Sequence, residues 1–268
     1  IGRRQPIGMI EAAVQHLRSA GIRNLSFDLI YGLPLQTAES IRRTCQSVVG
    51  LSPDRIACFG YAHLPSLRAN QRLIDQSKLP SQDCRADQAE VMAEELVANG
   101  YLRIGIDHFA KPHDSLAIAA ASKRLHRNFQ GYTDDDRKIL LGFGASAISS
   151  FPEGIVQNIS DVPRYVRAIN DGALASARGA RLSSEDRQRA AIIERLMCAF
   201  EADLALLAPD ADFSDELAAL APMVEDGLLA IDDRKLVVTE FGRPLVRVIA
   251  ATFDTARRSR SAQFSSAV

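Results

Sequence analysis

The chain has little that would commit it to a nucleic acid, a membrane or a disulfide scaffold. Its 32 lysines and arginines are balanced by 33 aspartates and glutamates, for a net charge of −1. That balance excludes the global basic field of a nucleic-acid binder and the acidic excess of a disordered chain. No apolar run approaches the roughly 20 residues needed to cross a bilayer, and no signal peptide opens the sequence. A cytoplasmic protein with no membrane span is expected. Cys45, Cys58, Cys84 and Cys198 are scattered, with no CxxC pair. This spacing argues against a disulfide framework and against zinc or iron–sulfur ligation, whose ligands come in close pairs. All four are expected as small buried or half-buried side chains. HExxH is missing too, and Gly142-Phe143-Gly144-Ala145-Ser146 lacks the third glycine and the Lys-Ser/Thr ending of a phosphate cradle.

What is present reads as a globular α/β protein, 47% hydrophobic and 24% charged. Its length suits one large domain or one domain with a small appendix. The chain opens at Ile1 without an initiator methionine, directly ahead of a helical pattern, so it is expected to be part of a longer protein. Helical spacing covers residues 7–19. Residues 25–30 read as a strand that ends in Tyr31-Gly32-Leu33-Pro34, and Thr37 caps a helix to about residue 49. A second strand, 56–61, opens into Ala62-His63-Leu64-Pro65. A helix over 84–99 and a strand over 102–106 close on Asp107-His108-Phe109. This alternation predicts a parallel sheet whose polar residues sit just beyond the strand ends, where α/β folds place their sites. It singles out Asp28, Tyr31, Tyr61, His63, Asp107, His108 and residues 126–133.

The character changes after about residue 175. Ser183-Ser184-Glu185-Asp186 reads as a helix start, followed by amphipathic helices over 190–200 and 215–224, a hairpin over 228–239 and a helix from Pro244. The order resembles a winged-helix module and places a domain boundary between residues 177 and 178. Its basic residues (Arg234, Lys235, Arg243, Arg247, Arg257, Arg258) are interleaved with acids, so no nucleic-acid partner is expected. The Arg- and Ser-rich tail 257–267 is expected to be mobile.

The most distinctive segment is His126-Arg127-Asn128-Phe129-Gln130-Gly131-Tyr132-Thr133, followed by the glycine-punctuated apolar run 140–149. It is too polar for core and too aromatic for a solvated loop, and reads as a loop at the mouth of a pocket followed by a strand. Asp28 lies in an apolar strand, where a buried carboxylate needs a partner, either a structural ion pair or a ligand's donor. Of the five histidines, His63, His108 and His126 fall at strand ends or in the aromatic loop, whereas His16 and His113 read as surface residues.

The segments from Asp28 to Thr37, Tyr61 to Pro65, Asp107 to Ala110, His126 to Thr133 and Leu140 to Ser149 together resemble the oxygen-independent coproporphyrinogen III oxidases. These are radical S-adenosylmethionine (SAM) enzymes of heme biosynthesis, and the resemblance covers essentially the whole chain. The first motif is shared with related heme chaperones, but the HRNFQGYT segment is particular to the oxidases. The resemblance implies a partial (β/α) barrel followed by a mainly helical, winged-helix-like domain. It implies that a [4Fe–4S] cluster cleaves SAM to a 5′-deoxyadenosyl radical, which takes hydrogen from propionate β-carbons. Coproporphyrinogen III would become protoporphyrinogen IX, with an unidentified electron donor and acceptor, in a monomer. By position, Arg3, Asp28 and Ala62 match contacts to a second SAM molecule, and Ile148 matches a contact to the cleaved one. The family's asparagine before that arginine is Gly2 here. His108, His126, Arg127, Gln130 and Tyr132 are candidates for substrate binding. The family's CxxxCxxC cluster motif and upstream Gly-Gly segment are absent, so the chain alone is expected to hold no metal and to be unable to cleave SAM. A heme chaperone, a non-catalytic truncated fragment and a winged-helix regulator are the competing readings.

Overall fold

The computed structural model describes residues 4–128 and 130–255. Arg3, Phe129 and the tail 257–267 lie outside the described residues. Helix α1 (Ile7–Ser19) leads into strand β1 (Ser26–Tyr31), helix α2 (Ala38–Leu51) and strand β2 (Arg55–Gly60). Thr37 starts α2 with a reciprocal cap, its side chain accepting from the Ser40 amide while Ser40 accepts from the Thr37 amide. Helix α3 (Gln82–Ala98) follows, capped by Ser81, and then strands β3 (Leu102–Ile104) and β4 (His108–Ala110).

These strands form one sheet in the order β1-β2-β4-β3, with β1 and β2 parallel but β4 antiparallel to β2 and to β3. The sheet is therefore mixed rather than parallel. The expected strand over 102–106 stops at Ile104, because Gly105 takes a positive φ of 59° and turns the chain back as a hairpin. Since β4 runs against β2, the start of β4 lies at the same end of the sheet as the C-terminal ends of β1 and β2. Asp107 and His108 thus reach the expected end by a different route.

One face of this sheet is closed by α2 and α3. Leu29 and Tyr31 from β1, Ile56 and Cys58 from β2, and Phe109 from β4 pack there against Ile41, Cys45, Val48, Met92 and Leu96. The alternate residues of β1, namely Ser26, Asp28 and Ile30, face the other way and are exposed. Asp28 is accordingly an exposed carboxylate, with no ion pair or hydrogen bond among the described residues. Expecting it to be buried assumed a strand covered on both faces, whereas β1 is covered on one.

Helix α4 (Ser115–Ala121) leads to the strands β5 (His126–Asn128) and β6 (Gly131–Thr133), which form a two-stranded hairpin. The segment expected as a loop is therefore a β-hairpin, with Asn128 paired to Gly131. Of the run 140–149, only its end is regular. Residues 140–147 are irregular apart from one bridge between Leu140 and Ser150, and Phe143 is 87% exposed. At Gly142 the chain passes close to Ile148, and a Cβ there would lie 2.6 Å from the Ile148 carbonyl oxygen. Strands β7 (Ile148–Phe151), β8 (Gly154–Asn158) and β9 (Ser176–Arg181) form a separate antiparallel sheet, with helix α5 (Val162–Asn170) between β8 and β9.

The C-terminal part comprises α6 (Ser184–Ala199), β10 (Glu201–Asp203), α7 (Leu204–Leu207), α8 (Ser214–Glu225), the β11 (Leu229–Asp232) and β12 (Lys235–Val238) hairpin, and α9 (Val246–Ala251). Its core is continuous with the first sheet. Ile104, Ala110, Leu116 and Leu125 share one apolar cluster with Ile192, Leu196, Leu236, Ile249 and Phe253. Of the cysteines, Cys45, Cys58 and Cys198 are buried as expected, but Cys84 in the first turn of α3 is exposed. Leu196 is fully buried within the shared cluster. Leu196→Ala is expected to lower stability by about 2–5 kcal/mol in urea denaturation, the usual cost of a buried Leu-to-Ala cavity.

Candidate active site

The hairpin is fixed from three directions. Its buried Tyr132 donates its hydroxyl to the Met197 carbonyl of α6 at 3.0 Å and accepts from the Ile106 amide at 3.3 Å. The ring lies where a Cβ at Gly105 would overlap it, so the glycine that turns β3 into β4 also makes room for the phenol. His126 contacts Glu194 of α6 through Nδ1 at 3.1 Å, and the Arg127 amide donates to the same carboxylate at 3.3 Å. At the turn, the Asn128 side chain accepts from the Gln130 and Gly131 amides. Tyr132 is therefore a strut whose hydroxyl is already engaged, and His126 is held by Glu194, while Gln130 is exposed.

His108 lies at the centre of the polar cluster. Its ring meets Tyr132 edge-on at 5.2 Å and Phe59 at 6.0 Å. Nδ1 is 2.7 Å from Asp107 Oδ1, and the other oxygen of Asp107 is 3.7 Å from Arg247 on α9. Gly131 keeps clear the space over the ring, since a Cβ there would lie 3.0 Å from Nε2. Arg127 stacks its guanidinium 4.9 Å from the Tyr132 centroid, with Nη1 buried and unpartnered. The register Asp28–Ala57–His108 puts Asp28 and His108 on the same sheet face, one strand apart, or about 10 Å.

Beyond β2, Ala62 is half-buried and its carbonyl accepts from Gln71 at 2.9 Å. His63 contacts the Tyr61 hydroxyl through Nδ1 at 3.4 Å, and its Nε2 is buried without a partner. The structure thus brings together His108, Arg127 and Tyr132 directly, with Asp28 on the same face. Ile148 stands apart at the start of β7, on the other sheet, and Arg3 lies outside the described residues. Sequence reasoning missed Glu194, which carries no local signal in an amphipathic helix, and Phe59, which reads as ordinary strand.

The cysteines do not fit an iron–sulfur cluster. Burial pushes the Cys45 thiol up to about 11, Cys58 well above its ordinary value and Cys198 up to about 12. No three His, Cys, Asp or Glu side chains converge on a metal position among the described residues. An open groove of about 370 Å³ lies on β8 and β9 around Ile155 and Ala180.

Burial raises the Tyr132 phenol to about 12. The folded protein then holds this proton through the range where an unfolded tyrosine, near pH 10, has lost it. The contribution is complete below about pH 10 and is lost as pH rises toward 12. Denaturant midpoints should fall over that interval, and Tyr132→Phe should flatten the fall. A midpoint that drops equally steeply in both proteins would remove Tyr132 as its cause.

Known proteins resemble this chain in sequence and in fold. Residues 182–245 match the HemN C-terminal domain. The chain is 45% identical to the oxygen-independent coproporphyrinogen III oxidase of Bradyrhizobium diazoefficiens, over 95% of this chain and 58% of that protein. It is 40% identical to the Escherichia coli enzyme of the same name, over 99% of this chain and 60% of that one. The solved Escherichia coli coproporphyrinogen III oxidase, described as a radical SAM enzyme, superposes with a TM-score of 0.89 at 40% identity, covering 96% of this chain and 60% of that structure. The chain spans about three fifths of the length of these relatives. In sequence and in its mixed α/β fold, it is homologous along nearly its whole length to the oxygen-independent coproporphyrinogen III oxidases.

Proposed function

We propose that this chain is the substrate-holding part of an oxygen-independent coproporphyrinogen III oxidase of heme biosynthesis. In the longer protein, two propionates of coproporphyrinogen III would each lose carbon dioxide and one β-hydrogen, leaving vinyl groups and giving protoporphyrinogen IX. Of the two electrons lost per propionate, one would leave with the abstracted β-hydrogen atom and the other would pass to an acceptor outside this chain. The observation that carries the reading is the hairpin at the strand ends. Its residues His126 to Thr133 match the oxidase pattern, and they hold a half-buried arginine with a free donor beside the polar face of the sheet.

The chemistry of the residues supports distinct tasks. Arg127 Nη1 is a buried donor without an acceptor, suited to a propionate carboxylate. Gln130 is exposed at the hairpin turn, next in line to meet substrate, and His108 with Asp107 lies beneath. His126 and Tyr132 serve by holding the hairpin in place. For the nucleoside ligand, the exposed and unpartnered Asp28 carboxylate, the small Ala62 and the orphaned Nε2 of His63 fit a polar, hydroxyl-bearing molecule. We assign Arg3, Asp28 and Ala62 to a second SAM molecule and Ile148 to the one that is cleaved. Bound SAM would supply the hydrogen-abstracting group. Among the described residues no group of side chains is placed to hold the cluster.

The same reading divides the chain between residues 177 and 178, into part of a (β/α) barrel and a winged-helix-like domain, in a cytoplasmic monomer. In the longer protein under anaerobic reducing conditions, Arg127→Gln and Gln130→Ala should each lower kcat/KM for coproporphyrinogen III by roughly tenfold or more, as the loss of a charged or polar contact implies. A longer protein that binds heme tightly and forms no protoporphyrinogen would instead favour the chaperone reading.

A further inference from the structure

A second unpaired cation lies at the same end of the sheet, outside every residue assigned above. Arg85, in the first turn of α3, is half-buried, and its Nε is buried with no hydrogen-bond partner. The side chain forms no ion pair among the described residues. Its guanidinium runs along the C-terminal ends of β1 and β2. A Cβ on Gly32 would lie 3.1 Å from Nε, and one on Gly60 would lie 3.1 Å from Nη2. Gly32 has φ of 79°, a conformation that disfavours other residues. Both strand ends are thus free of side chains where the guanidinium lies.

Two features hold this corner in shape. One turn along α3, buried Gln88 accepts from the Gly32 amide at 2.9 Å and donates to the Gln36 carbonyl at 2.8 Å, fixing the turn above β1. The Tyr31 hydroxyl is also here, 3.1 Å from the position a Gly60 Cβ would take. Burial raises the Tyr31 phenol, with the Arg85 charge opposing, so the hydroxyl stays protonated and able to donate. It makes no hydrogen bond among the described residues. The nearby acid, Asp107, is already committed to His108 and Arg247.

A buried guanidinium nitrogen without an acceptor is costly, and buried polar groups are normally paired. Here a planar fork of donors and a phenol hydroxyl converge beside Gly60, with no carboxylate among the described residues paired to them. We infer that Arg85 and Tyr31 form a carboxylate-binding subsite at the ends of β1 and β2, filled by a ligand's carboxylate. This rests on the proposed function only for the ligand's source. The shared chemistry is a carboxylate, carried either by the amino-acid moiety of SAM or by a tetrapyrrole propionate.

Arg85→Gln and Arg85→Lys test it in this chain, with circular dichroism and melting to confirm folding. Binding is measured for SAM against decarboxylated SAM, and for coproporphyrin III against its tetramethyl ester. Arg85→Gln should weaken one carboxylate-bearing ligand roughly ten- to hundredfold and leave its carboxylate-free partner unchanged, the loss expected for a charge-assisted contact. The ligand that responds identifies the source. If Arg85→Gln does not fold, Arg85→Lys decides, since it keeps the charge but loses the fork and should bind at least about threefold more weakly. Equal affinities in wild type and folded variants overturn the subsite. If the wild type binds neither ligand, the functional reading fails separately. Propionate ion alone then decides: it should raise the melting temperature of wild type but not of Arg85→Gln, and an equal shift in both would refute the subsite.

Discussion

The buried hydroxyl of Tyr132 is the contact on which the candidate site depends. It joins three elements that are far apart in sequence: the β3–β4 turn through Ile106, the hairpin it belongs to, and α6 through Met197. A buried backbone group left unmet costs about 1–3 kcal/mol, so the hydroxyl serves both contacts at once. Gly105 contributes by absence, since a side chain there would exclude the ring. His108 and Arg127 then take their places against the two sides of the Tyr132 ring system, one edge-on and one stacked. The C-terminal part is thereby a support for the site rather than an appendix beside it.

The edge strand β1 of the sheet it supports is covered on one face only. The side of β1 that carries Leu29 and Tyr31 is sealed by α2 and α3, while Asp28 and Ile30 stand exposed on the other. On that open side the polar residues of three strands share one end. Groups without partners among the described residues collect at this end of the sheet, Arg127 and Asp28 on the open side and Arg85 beside the face that α3 covers. Such groups are ordinarily paired inside a protein, so an end that leaves several unmet is suited to a ligand carrying both carboxylates and donors.

Much of this was legible in the sequence because local rules set it. The helix at 7–19, the Thr37 and Ser183 caps, and the hairpin after residue 228 all follow from spacing and capping chemistry. What was not legible depended on contacts between distant residues. The antiparallel return of β4 hung on one glycine's positive φ, which periodicity does not report. The 126–133 segment looked like a loop because its polar side chains do not alternate, yet Glu194 and Met197, some 65 residues on, hold it as a strand pair. Asp28 looked buried because the strand pattern cannot say which face a neighbouring layer covers. Arg85 gave no signal at all, being an arginine in a helix's first turn until two glycines and a phenol surround it.

The central claim, that one phenol hydroxyl couples the sheet, the hairpin and α6, is tested most directly by amide hydrogen exchange on wild type and Tyr132→Phe. The ring remains in the variant and only the hydroxyl is lost. The account predicts that protection falls together at Ile106, along β5 and β6, and at the C-terminal turn of α6. A fall confined to the hairpin, with Ile106 and α6 protected as in wild type, would contradict it.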